Sequence, residues 1–249
     1  MKISVYGKTD IGRIRNLNED SYGIYPEINL YIVADGMGGH IAGDVASSIA
    51  VDSISEFVLS KMADNKNNPD TIDNILIEAT KSANIRIIDR GRRKSHLRGM
   101  GTTVVSVLIT DNVAYISHVG DSRAYIIRRG EIEQLTYDHS LVMEYVSKNI
   151  ITEEEAESHP YKHILSRALG TDLELDIDIR DFTILPQDIF LLCSDGLSNM
   201  INRDEMLAVI INNNESPEDA CTELIDLAND HGGRDNITAI VVKCMEENE

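Results

Sequence analysis

The stretch Asn29-Leu-Tyr-Ile-Val-Ala-Asp-Gly-Met-Gly-Gly-His40 passes from a short apolar run into a carboxylate, Asp35, and then into glycines at 36, 38 and 39. Leu30 to Ala34 has the length and composition of a buried strand. Glycine beyond it allows positive φ and close approach of the backbone to a bound ion. A carboxylate at a strand end followed by bare carbonyls can hold a hard divalent cation, though taken alone it is also what a polar turn looks like. The pattern recurs. Ala114-Tyr-Ile-Ser-His-Val-Gly-Asp121 and Ile189-Phe-Leu-Leu-Cys-Ser-Asp-Gly196 run the same way, and Gly232-Gly-Arg-Asp-Asn236 puts a carboxylate just before the apolar run Ile237 to Val242. With 42 acidic residues in 249, most Asp side chains are solvated surface. Four at strand termini are a different matter. Strand ends of one layered domain can converge, and converging carboxylates repel one another until cations neutralise them.

The net charge of −19 argues against nucleic acid or an anionic membrane as partner, since phosphate contacts need a basic face. Cys193, Cys221 and Cys244 form no CxxC and cannot pair completely, which fits a reducing cytoplasm with buried thiols. The N-terminal residues lack a signal-peptide core, and no apolar run is long enough to cross a bilayer, so the chain is expected to be soluble and cytoplasmic.

In chain order, strands are expected at Ile3–Lys8, Ser21–Tyr25 and Leu30–Ala34. Two helices follow, from Gly43 to about Met62 and from a first turn at Pro69 to the basic run Arg90 to Arg98. That run reads as a solvated helix end, with nucleic-acid contact as the alternative. A meander comes next: 101–110, 113–119, 124–128 and 131–135. The segment Asp138 to Gly170 lacks strand character and holds two short helical stretches, about 140–148 and 152–158; an insertion of this length is usually functional or mobile. Strands at about 174–184 and 188–194, helices at about 203–212 and 217–230 and a last strand complete one domain spanning 1–249.

Six motifs in order now resemble one family. Arg15-x-x-Asn-Glu-Asp20, Asp35-Gly-Met-Gly-Gly39, Gly101-Thr-Thr103, Gly120-Asp-Ser-Arg123, Ser194-Asp-Gly-Leu197 and Gly233-Arg-Asp-Asn236 are similar to those of the metal-dependent serine/threonine protein phosphatases of the 2C type. Asp138-His-Ser-Leu, His159-Pro and Arg167-Ala-Leu-Gly look like the flap of the bacterial branch, here about 138–170. The resemblance implies an α+β fold: a four-layer α-β-β-α sandwich with two central, mostly antiparallel β-sheets flanked by helix pairs, plus the flap insertion. It implies hydrolysis of phosphoserine and phosphothreonine on proteins, opposing a serine/threonine kinase, by a protein expected to act as a monomer.

By the same resemblance, Asp35 bridges two Mn²⁺ or Mg²⁺ ions, joined by the Gly36 carbonyl. Asp195 and Asp235 hold one ion, and Glu19 and Asp20 act near the other. Asp121 would hold a third, weaker ion with Asp195. Oxygen ligands without clustered Cys or His suit such cations better than zinc. Arg15 would grip the phosphate, a surface ion pair being the plainer alternative. Gly101-Thr-Thr103 is assigned a structural role, and Asn236 the orientation of the Asp235 loop. Relatives often carry His at the position of Met37, a proposed general acid. Met cannot donate a proton, which leaves His40 as the nearby candidate, or a structural residue of the glycine loop. A haloacid-dehalogenase-type phosphatase would want a second Asp at position 37, and Met37 disfavours it. A metal-binding pseudophosphatase that only recognises phosphoproteins is the binding-class alternative, disfavoured by the complete acidic set.

Overall fold

The computed structural model describes residues 1–38, 42–64 and 71–246. Its strands are β1 (Lys2–Asp10), β2 (Asp20–Tyr25), β3 (Leu30–Met37), β4 (Gly101–Thr102), β5 (Val104–Thr110), β6 (Val113–Val119), β7 (Arg123–Arg128), β8 (Glu131–Gln134), β9 (Asp178–Thr183), β10 (Ile189–Cys193) and β11 (Ile237–Met245). The helices are α1 (Ala42–Asp64), α2 (Ile72–Arg93), α3 (Leu141–Ser147), α4 (Glu153–Glu157), α5 (Asp195–Ser198), α6 (Arg203–Asn212) and α7 (Pro217–Asp230).

The central strands β3, β5 and β10 are near-continuous apolar runs rather than alternating ones because both of their faces are covered, whereas the edge strands β8 and β9 are partly exposed. On β3, Leu30, Ile32 and Ala34 face α1 and α2, while Tyr31 and Val33 face the other sheet. On β10, Leu191 and Cys193 join the α6–α7 side, while Phe190 and Leu192 point between the sheets. Three apolar layers therefore separate four layers of structure, in the order helices, sheet, sheet, helices. One sheet runs β2-β3-β5-β6-β9, with β4 on the end of β3; the other runs β1-β11-β10-β7-β8, every pairing antiparallel. Tyr31 and Phe190 are fully buried in the middle layer, where truncation to Ala would cost about 3–5 kcal/mol.

The outer helices begin where their caps place them. Thr71 accepts a hydrogen bond from the Asn74 amide at the start of α2, Asn202 and Glu205 form a reciprocal capping box on α6, and Ser216 with Pro217 opens α7. Thus α2 starts from a threonine cap, and Pro69 lies outside the described residues. The strand expected from about 174 begins only at Asp178, opposite His118. Leu175 and Ile177 do alternate like a strand and pack on the helix layer. In this register the positions before Ile177 would fall opposite Gly120 and beyond, where β6 has ended and Gly120, at φ +105°, turns the chain away. The flap segment carries α3 and α4, and two isolated bridges, Ser140 to Leu165 and Thr102 to Leu169, tie its ends down. Among the described residues, no helix is long and apolar enough to cross a membrane.

Candidate active site

The β2–β3 hairpin turns through Asn29, at φ +50°, in a register that puts Asp20 directly opposite Asp35. Around Asp35 the backbone is held from the neighbouring strands. Its amide donates to Thr103 Oγ1 (3.0 Å), and its carbonyl accepts from the Thr103 amide (2.9 Å) and from Thr102 Oγ1 (2.9 Å). The structural role expected for the Gly-Thr-Thr segment is thus the fixing of Asp35. Gly36 is required by space, not by φ: a Cβ there would stand 2.1 Å from the Gly43 carbonyl oxygen. Among the described residues of the loop, Gly38 takes positive φ, at +136°. Glu19 Oε1 accepts from the Gly43 amide (3.2 Å) at the start of α1, where the helix dipole favours a carboxylate.

The second sheet brings its carboxylates to the same edge. Ser194 turns the end of β10 into α5, whose first residue is Asp195, and Asp235 stands two residues before the start of β11. Asn236 ties the two sheets together. Its Nδ2 donates to the carbonyls of Ile11 and Leu17, and its Oδ1 accepts from the Glu19 amide (2.8 Å). Asp20 Oδ2 accepts from Ser194 Oγ (2.7 Å) and Thr238 Oγ1 (2.6 Å), whereas its buried Oδ1 has no hydrogen-bond partner among the described residues. A buried carboxylate oxygen left without a donor is costly unless a cation or water meets it.

These groups surround a cavity of about 680 Å³ lined by Glu19, Asp35, Asp121, Asp195 and Asp235, with Arg15 at its edge. Burial is the main force raising the Asp35 carboxyl well above the usual carboxylate range, and Asp20, Asp195, Asp121 and Asp235 push in the same direction. Burial raises Asp20 to about 7 against its two hydroxyl donors, and raises Asp121 to about 8 with help from Asp195 and Asp138. Asp195 is also raised, by burial and then by Asp235. Carboxylates that must take up protons in order to coexist form a site suited to divalent cations, and the orphaned Asp20 oxygen fits the same reading.

A different set of ligand-capable groups, His118, His139 and Asp178, has its ligand atoms within 4.8 Å of one another. There the Arg167 guanidinium stands 2.8 Å from Asp178 Oδ1 and 3.3 Å from His139 Nε2, so a side-chain cation already occupies the cluster. His139 also accepts from the Gly120 amide through Nδ1, while its own amide donates to the Gly120 carbonyl. This fastens the root of the flap to the loop carrying Asp121.

Arg15, Glu19, Asp35, Gly36, Asp121, Asp195 and Asp235 all meet at the cavity; Asp20 lies just beneath it, buried. Arg15 Nη2 pairs with Asp235 Oδ2 at 2.6 Å, the plainer alternative, in a position that also faces the cavity. Arg123 does not pair with Asp121 as a hairpin cap would; it makes a forked contact with Asp138 instead. Met37 lines the cavity, and His40 lies outside the described residues. Sequence reasoning missed the hydroxyls of Ser194 and Thr238, and also His163, Arg167 and Asp172 on the cavity wall. Nothing marks Thr238 within its apolar strand; Ser194 did stand next to a candidate ligand.

The comparisons agree with this geometry. The family described as protein phosphatase 2C matches residues 14–230. The serine/threonine phosphatase stp of Listeria welshimeri is 39% identical over 239 residues, covering 95% of this chain and 94% of that protein. Among solved structures, the serine/threonine phosphatase PstP/Ppp of Mycobacterium tuberculosis superposes with a TM-score of 0.87 at 33% identity, over 98% of this chain and 99% of that one. The catalytic domain of the protein phosphatase PstP, solved with two manganese ions, matches with a TM-score of 0.80 at 34% identity, over 98% and 99% of the two chains. With a family match over most of its length and relatives above 30% identity end to end, this chain belongs to the protein phosphatase 2C family.

Proposed function

We propose that this serine/threonine protein phosphatase divides its work between a carboxylate floor that holds divalent cations and a guanidinium that receives the phosphate. Asp35 faces Asp20 across β2 and β3 and is repelled by Asp195 and Asp235 of the other sheet, and in this reading these carboxylates would together hold two divalent ions, Mn²⁺ or Mg²⁺, with Asp35 common to both. The Gly36 carbonyl and Glu19 complete the near side. Bound there, such cations supply charge neutralisation and a source of nucleophilic oxygen at neutral pH. Arg15, tethered to Asp235 yet partly exposed, swings its free N–H donors onto the phosphoryl oxygens. Asp121, desolvated and repelled by Asp195, is the proposed ligand of a third, weaker ion beside the flap. The substrates are phosphoproteins, and the reaction would undo that of a serine/threonine kinase.

The observation that carries this reading is the crowding of raised carboxylates around Asp35, together with the unpartnered Asp20 oxygen. Turnover of a phosphothreonine peptide tests it. Hydrolysis should require Mn²⁺ or Mg²⁺, stop on chelation and return on adding back the metal. Tight Mn²⁺ binding with no turnover would instead make the chain a metal-holding phosphoprotein reader.

A further inference from the structure

We infer that the basic run Arg90–Arg98 is a docking ridge for acidic segments that flank the phosphorylated residue of a protein substrate. The inference rests on the phosphatase activity above and adds a substrate preference to it. Five of the chain's 23 Lys and Arg fall within these nine residues (Arg90, Arg92, Arg93, Lys94 and Arg98), and His96 stands among them. All six side chains are exposed. None of the five cations makes an ion pair or hydrogen bond among the described residues, whereas Arg86, one turn earlier on the same helix, is paired with Glu56 at 2.7 Å. In a chain of net charge −19, five unpaired cations side by side form a local field of the opposite sign.

The ridge is anchored by buried residues and leads directly into residues that adjoin the wall of the active-site cavity. α2 ends at Arg93, and a 3-10 turn, Ser95–Leu97, follows. The backbone is anchored by Leu97 and Met100, both almost fully buried, and Gly91 is packed beneath the carbonyl of Leu97. Met100 leads into β4, where Gly101 pairs with Met37, a residue of the cavity wall. The Met100 Cα lies 3.1 Å from where a Cβ on Gly38 would stand, and Gly38 also lines the cavity. Arg98 is two residues before Met100, a backbone reach of at most about 7 Å. An extended peptide advances about 3.3 Å per residue, so a peptide with its phosphorylated residue in the cavity can lay residues a few positions away along the ridge. The cavity's own carboxylates would repel an acidic peptide; the ridge supplies a favourable path on one side. Acidic side chains are the complement of unpaired guanidinium groups, which bind carboxylates in a forked geometry.

The test uses two phosphothreonine peptides of equal length, one with Asp and Glu around the phosphothreonine and one with Ser and Gln in their place. 4-Nitrophenyl phosphate reports the chemistry alone. The intact protein should favour the acidic peptide by about tenfold in kcat/KM, mainly through KM, as expected for several exposed charge contacts that each contribute little. The preference should shrink as salt rises past about 0.15 M, where the screening length is near 8 Å. Combined Arg92→Gln, Arg93→Gln, Lys94→Gln and Arg98→Gln should erase the preference and leave the aryl phosphate rate unchanged. Equal kcat/KM for both peptides in the intact protein would overturn the proposal, as would a preference that survives the four substitutions. Equal loss on the aryl phosphate would also overturn it, by showing that the run supports the active site itself. Inhibition by single-stranded RNA that is lost in the variant, with no discrimination between the peptides, would assign the ridge to nucleic acid instead. Absence of turnover on all three substrates would count against the phosphatase activity, a separate failure.

Discussion

The floor of the cavity and the flap above it are built on opposite principles. Asp35 is fixed by three hydrogen bonds to its own backbone groups, and Asp20 by two buried hydroxyls from the opposite sheet. Both belong to strands with an apolar layer on either face. The flap rests instead on local devices: a serine cap on α3, a capping box between Thr152 and Glu155 on α4, and a left-handed Asn149 between them. Among the described side chains of its two helices Val142 and Ala156 are buried, while Ile150, Tyr161 and Ile164 of the flap are exposed. Elements with few buried apolar contacts open at the lowest free energy. The floor therefore holds fixed charges in place against their mutual repulsion, whereas the two flap helices bury little apolar surface and rest on local hydrogen bonds.

That contrast can be broken first at the floor. Asp35→Asn keeps the shape of the side chain and removes the charge that the two sides of the site share. Turnover of a phosphothreonine peptide should fall by about 10³-fold or more, since such ions are worth several kcal/mol in the transition state. The metal-free variant should unfold no earlier than the parent, because a repelled carboxylate has been removed. Activity near that of the parent would remove Asp35 from the centre of the site.

Asp121 lies where floor and flap meet, so its effect should be intermediate. Asp121→Ala should cost about 10–100-fold on phosphoprotein, the range found for groups that support a metal site without forming its main ligand set. Calorimetric titration should find one fewer Mn²⁺ bound. An unchanged ion count would reduce Asp121 to a loop residue.

Within the flap the prediction reverses, with stability affected a little and activity hardly at all. Asn149, at φ +56°, occupies a conformation that β-branched residues avoid. Asn149→Val should cost about 1–2 kcal/mol locally, seen as increased proteolysis of the 140–160 segment, with kcat changed less than about threefold. A large fall in kcat would mean that the flap is as rigidly coupled to the chemistry as the floor.

The same contrast governs what could be read from the sequence. Strand-end carboxylates were legible because a buried strand is an unbroken apolar run and Asp is conspicuous at its end, as at Asp35 and Asp195. The two-sheet arrangement was legible only through the family resemblance. No local pattern says that Leu30, Ile32 and Ala34 meet helices while Tyr31 and Val33 meet a second sheet. Thr238, which braces Asp20 across the sheets, is one β-branched residue in a strand full of them, and its partner is 218 positions away. At the flap, the Arg167–Asp178–His139 cluster is set by where β9 ends up beside β6, which side-chain periodicity does not encode. The basic run failed in another way: its composition was plain, but the closeness of its far end to the cavity wall depends on β4 pairing with β3.

The central claim is that the floor's carboxylates are held together against repulsion and await cations, and thermal unfolding across pH tests it most directly. Asp20 is raised to about 7 and Asp121 to about 8, with Asp35 and Asp195 also raised. The folded metal-free protein therefore keeps protons that the unfolded chain has released above about pH 4. The stabilisation is fully present below that unfolded value and is lost as pH rises toward 8. For Asp20 alone it amounts to about 4 kcal/mol at most. The Tm of the metal-free protein should thus fall between pH 5 and pH 8, and Mn²⁺ should restore it most at the upper end, where the sites are charged and free to bind. A metal-free Tm that holds level or rises over this range, with no greater Mn²⁺ shift at pH 8 than at pH 5, would contradict the account.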